Sequence, residues 1–112
     1  MSYLPSKHKI KLFDYSIINP DDYPDGICTY FVMGLESGRI KIGRTKNLKS
    51  RMSAINCDCS EVVIVVGIIA GDVEEEIHEK FSNYRIKGEW FDGIILGEVC
   101  KILDSEAKKN NN

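Results

Sequence analysis

No long apolar segment runs through this 112-residue sequence. The longest strongly apolar run, Val62 to Ala70, is nine residues with Gly67 inside it, against about 20 residues for a membrane span. The first fifteen residues, MSYLPSKHKIKLFDY, hold no apolar core of signal-peptide length, which argues for a cytoplasmic protein with reduced thiols. Cysteine is sparse: Cys28, Cys57, Cys59 and Cys100. Only Cys57 and Cys59 are close, and C-x-C without a second pair or a histidine spacing is a poor zinc signature. Excess charge is also missing, since the formal net charge of −2 does not advertise nucleic-acid binding. With 43% hydrophobic and 29% charged residues, the composition is that of an ordinary globular domain. These features exclude a membrane protein, a disulfide-stapled miniprotein and a large multidomain enzyme.

The charge that is present is unevenly placed. Residues 1–51 carry nine Lys/Arg against five Asp/Glu, and residues 52–112 carry six against twelve. Six basic residues fall between positions 39 and 51: Arg39, Lys41, Arg44, Lys46, Lys49 and Arg51. Such a cluster can neutralise a few phosphates, or it is simply a solvated face.

Three regions follow from the pattern. Residues 1–26 form an N-terminal arm in which NPDDYPDG breaks regular structure, residues 27–107 form the domain, and residues 108–112 form a polar, disordered tail. Ile27 to Gly34 is β-branched and aromatic, and Arg39 to Gly43 alternates as a half-buried return strand does across a turn at Glu36-Ser37-Gly38. Thr45 is expected to cap a helix through Asn56, with Leu48, Met52 and Ile55 on one face. Glu61 to Ala70 reads as a buried central strand. Asp72 is expected to cap a second helix with the stripe Val73, Ile77 and Phe81, Tyr84 following on the same side, and Gly97 to Lys108 a third that buries Val99, Cys100, Ile102 and Leu103. The expected fold class is α/β (α+β), a three-stranded, mainly antiparallel sheet flanked by helices.

Several polar residues stand out against this frame. Tyr30 and Lys41 lie on paired hairpin arms and can share one face; each also suits a packing tyrosine or a solvent-facing lysine. Arg51 lies about 60° from the apolar stripe of its helix, so it borders the packed face or snorkels over it. Among Glu74, Glu75 and Glu76, helical geometry places Glu74 about 60° from the stripe and Glu75 pointing away. His78, four residues on, shares the side of Glu74. All three acids also complement the helix dipole. Trp90 and Phe91 suit an aromatic plug closing the core, and Glu89 is ambiguous.

In this order and spacing the residues resemble the GIY-YIG nuclease superfamily, in particular its small bacteriophage, bacterial and viral branch. The first motif corresponds to Cys28-Thr29-Tyr30 with only the tyrosine retained, the second to Lys41-Ile42-Gly43 followed by Arg44-Thr45. The helix arginine corresponds to Arg51, the metal-binding glutamate to Glu74, and the branch signature continues through His78, Phe81, Arg85 and Gly88-Glu89-Trp90-Phe91. The resemblance covers residues 27–92. It departs from the parent pattern where Lys41 replaces the second tyrosine and where the downstream asparagine has no counterpart, Asn83 being a poor candidate.

The resemblance implies Mg²⁺- or Mn²⁺-dependent hydrolysis of DNA phosphodiester bonds by a phage- or virus-encoded enzyme, in a bacterium or an infected host cell. Glu74 would hold the metal, Tyr30 orient or deprotonate water, Arg51 and Lys41 stabilise charge on the phosphate, and His78 carry a second proton. Arg39, Arg44, Lys46 and Lys49 are the DNA-binding candidates, with no role for a membrane. Specific cleavage would need the N-terminal arm, a homodimer or a targeting protein. The alternative is an inactive module on the same fold that binds nucleic acid or a protein partner.

Overall fold

The computed structural model describes residues 26–110; apart from Gly26, the arm read for residues 1–26 lies outside them, as do Asn111 and Asn112. The first hairpin is β1 (Cys28–Gly34) paired antiparallel to β2 (Ile40–Thr45). All seven residues of β1 are buried, as a β-branched and aromatic strand covered on both faces should be. The turn between them is held from outside. Glu61 accepts hydrogen bonds from the backbone N–H groups of Glu36 and Ser37 at 2.9 Å and from the Ser37 hydroxyl at 2.8 Å. These bonds, and the nearby Arg39 charge, hold the Glu61 carboxyl below its usual range, the Ser37 bonds contributing most.

The chain continues through α1 (Leu48–Asp58), β3 (Val63–Ala70), α2 (Glu74–Lys80), β4 (Arg85–Lys87), β5 (Trp90–Phe91) and α3 (Leu96–Asn110). The sheet has five antiparallel strands in the order β3-β1-β2-β5-β4, where the sequence predicted three. The two additional strands, β4 and β5, are three and two residues long, too short for a periodic signal. β3 is also an edge strand rather than the central one. Its continuous apolar run is explained by helices on both faces: Val63 and Val65 pack towards α1, while Val66 and Ile69 pack towards α2 and α3.

Two cores therefore flank the sheet. One gathers Phe31, Ile40 and Ile42 with Ile77 and Phe81 near α2, Phe91 of β5, and Val99 and Leu103 of α3. The other gathers Cys28, Tyr30 and Val32 with Leu48 and Ile55 of α1. Cys28 and Cys100 are buried thiols, as expected, and burial pushes the Cys28 thiol up.

Four local expectations are corrected. The cap of α1 is Asn47, whose Oδ1 accepts from Ser50 N at 3.1 Å, while Thr45 ends β2 and its hydroxyl accepts from Asn47 N at 3.1 Å. Ser, Thr and Asn cap helices almost equally well, so geometry decides between two such neighbours. The cap position of α2 is Val73, one residue beyond Asp72, whose carboxylate still takes the Glu74 N–H at 3.4 Å. Tyr84 leaves the apolar stripe because α2 stops at Lys80 and a 3-10 turn over Ser82–Tyr84 redirects the chain, leaving the ring exposed. The last helix reaches Asn110, two residues past its expected end.

α2 is seated on β1 by Thr29, a fully buried residue. Its hydroxyl donates to Gly71 O and accepts from Val73 N, both at 2.9 Å. This side chain fixes where α2, and therefore Glu74, begins.

Candidate functional site

The β1–β2 register sets Tyr30 opposite Gly43. A Cβ at position 43 would stand 2.4 Å from the Tyr30 hydroxyl and 2.7 Å from a Glu89 carboxylate oxygen. The missing side chain therefore clears the ground on which phenol and carboxylate meet. Tyr30 is 1% exposed, and its hydroxyl and the Glu89 carboxylate face the same point above Gly43. Burial, followed by the Glu89 charge, pushes the phenol pKa up to about 12; Arg51 pulls it down and Glu74 adds to the rise.

Glu89 is held at the tight connection between β4 and β5. Gly88 takes φ +57° there, a conformation glycine adopts without penalty. The Glu89 carbonyl accepts from Ile42 N at 3.0 Å, tying the connection to β2. Lys41, paired across the sheet with Trp90, places Nζ 3.3 Å from the Glu89 carboxylate and 5.4 Å from the Trp90 ring centroid. The lysine thus balances the carboxylate while its ammonium sits over an aromatic face.

Arg51 rises from α1, exposed, beside a cleft of about 200 Å³ whose walls include Lys41, Ile55, Asp58, Cys59 and Trp90. Glu74 approaches from the start of α2, its side chain 19% exposed, with Arg44 Nε 4.0 Å away. Arg44 is also paired with Asp72, which is the main cause of its raised pKa. The phenol of Tyr30 responds to Arg51, Glu74 and Glu89 together, so residues from α1, α2 and the β4–β5 connection act on one buried hydroxyl.

His78 takes a different place from the other candidates. Its Nε2 donates to the Ile42 carbonyl at 2.8 Å, which leaves Nδ1 to accept from Arg85 at 3.0 Å. Its ring also packs edge-on against Phe91, centroids 5.0 Å apart. Both nitrogens are engaged in joining α2 to the sheet. Of the basic candidates, Arg39 lies at the hairpin turn, where its charge acts on Glu61, and Lys46 and Lys49 are exposed at the β2–α1 junction.

The reading of the sequence left Glu89 undecided and gave no physical reason for Gly43. A glycine at a strand position facing a tyrosine is the signal that was available, because glycine inside a strand marks close approach by another group. Thr29 and Asp72 had no such signal, since their roles depend on where the chain turns after β3.

Glu74 is the candidate oxygen donor for a hard divalent cation. Glu74 offers carboxylate oxygens with one cation at 4.0 Å, and Mg²⁺ commonly takes one or two carboxylates and completes its shell with water and substrate phosphate. Among the described residues no three His, Cys, Asp or Glu side chains cluster as a closed metal cage. No helix among them is long and apolar enough to cross a membrane.

The fold and site define a small α+β domain with a phenol, two carboxylates and flanking cations set around one strand pair. Residues 27–105 match the model of the T5orf172 domain, and the chain belongs to that family. This match corrects the assignment to the GIY-YIG superfamily, because the family found is a different nuclease-associated domain. T5orf172 is a domain associated with phage and bacterial endonuclease-like proteins, consistent with a nuclease or nucleic-acid-binding role. Neither a curated protein nor a solved structure matches the chain.

Proposed function

We propose that this domain is a metal-dependent endonuclease that hydrolyses DNA phosphodiester bonds. The observation that carries the reading is the meeting of Tyr30 and Glu89 over Gly43, with Lys41 3.3 Å from Glu89 and both Lys41 and Arg51 lining one cleft. Phosphodiester hydrolysis needs a positioned water, cations against the growing negative charge and a hard-ligand site beside them. Tyr30 is the group that orients the water, with its phenol fixed over Gly43. Arg51 and Lys41 stand on the cleft to meet a phosphate. Glu74 would hold Mg²⁺ or Mn²⁺, which when bound supplies Lewis acidity at a phosphoryl oxygen. His78 serves as a positioning residue, since both ring nitrogens are already bonded.

Lys46 and Lys49, with Arg39 and Arg44, supply backbone contacts along the duplex, without sequence selectivity of their own. A targeting protein, a homodimer or the arm of residues 1–26 would supply selectivity. Cleavage of supercoiled plasmid in Mg²⁺ or Mn²⁺, compared with EDTA, tests the proposal. Metal-dependent nicking supports it, and intact plasmid under all three conditions contradicts it.

A second reading, a module that binds DNA without cutting it, is favoured by one contact. Arg44 lies 4.0 Å from Glu74 and offsets the carboxylate charge a metal would use. Binding that is unaffected by divalent ions, with no cleavage, would establish this reading instead.

A further inference from the structure

We propose that Glu89 is the proton acceptor behind Tyr30: as the phenol oxygen receives a proton from the attacking water, the phenolic proton passes to the Glu89 carboxylate. The inference rests on the nuclease reading above and gives a chemical step to a residue to which that reading assigns none.

Four features carry it. The Tyr30 hydroxyl and a Glu89 carboxylate oxygen lie 2.4 and 2.7 Å from the one point where a Cβ at position 43 would stand, so the path of the proton is short. Gly43 leaves room for both groups at one point, where any larger residue would part them. The Glu89 main chain is fixed by the Ile42 N–H and by the turn at Gly88, so the carboxylate is held rather than searching. Its side chain is 37% exposed, which gives the acquired proton a route to solvent.

Tyr30 needs such a partner. A phenol whose pKa lies near 12 supplies almost no phenolate at neutral pH, so it cannot act as a base alone. The charged groups around the pair are Lys41 from β2, 3.3 Å from Glu89, with Arg51 from α1 and Glu74 from α2 acting on the phenol.

The step balances without any added reagent. The water O–H bond breaks and its electron pair forms the new O–P bond. That proton goes to the Tyr30 oxygen and the phenolic proton to Glu89. The P–O ester bond breaks towards the leaving oxygen, which takes a proton from solvent. Glu89 then returns its proton to solvent. Because it acts through Tyr30, Glu89 is a positioning residue and proton store rather than a group in contact with substrate.

The test is the pH dependence of kcat for cleavage of labelled duplex DNA in Mg²⁺ by wild type, Glu89→Gln, Glu89→Asp and Tyr30→Phe, with DNA affinity measured in parallel. Glutamine keeps the size and an accepting oxygen but cannot take the proton at neutral pH. The expected result is a wild-type plateau between about pH 7 and 9 and a loss of about 100-fold in Glu89→Gln, the scale of a proton-transfer catalyst. The variant rate should rise about tenfold per pH unit, because hydroxide becomes the acceptor. Aspartate should restore a lower plateau, and DNA affinity should be unchanged.

Cleavage by Glu89→Gln within threefold of wild type on the same profile, with Tyr30→Phe inactive, overturns the role of Glu89 and leaves the nuclease reading standing. Absence of cleavage by wild type overturns both. If glutamine unfolds the domain, the wild-type profile decides: a rate climbing tenfold per pH unit across that range contradicts an internal acceptor.

Discussion

The hydroxyl of Tyr30 occupies the ground where a side chain at Gly43 would begin, 2.4 Å from the position of that missing Cβ. The two residues face each other across β1 and β2, so the glycine decides where the phenol lies. Gly43→Ala must push the ring or the Glu89 carboxylate aside. The expected cost is about 1–3 kcal/mol, the range for an overpacked core site, together with at least a tenfold fall in cleavage. Urea unfolding and a plasmid assay on the same preparation measure both. A fully stable, fully active variant would show that the close approach has no role.

Burial and the Glu89 charge raise the folded-state pKa of Tyr30 from 10.0 to about 12. The sign follows from proton linkage. A raised pKa contributes stability that is complete below the unfolded value and is lost as pH rises through the folded one. Stability should therefore decline between about pH 10 and 12, and Tyr30→Phe should flatten that decline. Chemical denaturation of both proteins across this range is the check.

His78 joins α2 to β2 through Ile42 and to Arg85, so its replacement should loosen the seat of Glu74. His78→Ala is expected to lose about 1–3 kcal/mol, the cost of leaving the buried Ile42 carbonyl without its partner. Unfolding and cleavage data on the variant separate this role from proton carriage: loss of activity at unchanged stability would point to a direct part in the chemistry.

Glu61 makes three hydrogen bonds to the β1–β2 turn, and its folded pKa lies below the ordinary 4.5. A lowered carboxyl pKa contributes stability present above the unfolded value and lost as pH falls through the folded one. Glu61→Gln should be less stable than wild type at neutral pH by about 1 kcal/mol, a typical net hydrogen-bond contribution at an exposed site. The difference should shrink as the pH drops below 4.5. Thermal melts from neutral to acid pH test this.

The order of the longer elements between Cys28 and Leu103 was legible because they carry a strong period: β-branched runs in β1 and β3, and apolar stripes at Leu48/Ile55, Ile77/Phe81 and Val99/Leu103. What a period cannot convey is who pairs with whom. The run from Val63 to Ala70 looks central because both of its faces are apolar, yet helices supply that cover and the strand lies at the edge. Tyr30, Arg51 and Glu74 were legible as candidates. Glu89 was not, because its meeting with Tyr30 depends on β5 pairing with β2, and a two-residue strand leaves no pattern. The family assignment failed for a related reason: short fragments at plausible spacings fitted a second nuclease-associated family.

The most direct measurement is the nicking rate of supercoiled plasmid by wild type and Glu74→Ala in Mg²⁺, Mn²⁺ and EDTA, with DNA affinity measured alongside. The account predicts metal-dependent nicking by wild type, at least about 100-fold slower nicking by Glu74→Ala, consistent with loss of a catalytic metal, and DNA affinity within a few-fold of wild type. Equal nicking by the two proteins, or none by wild type despite tight binding, would contradict it.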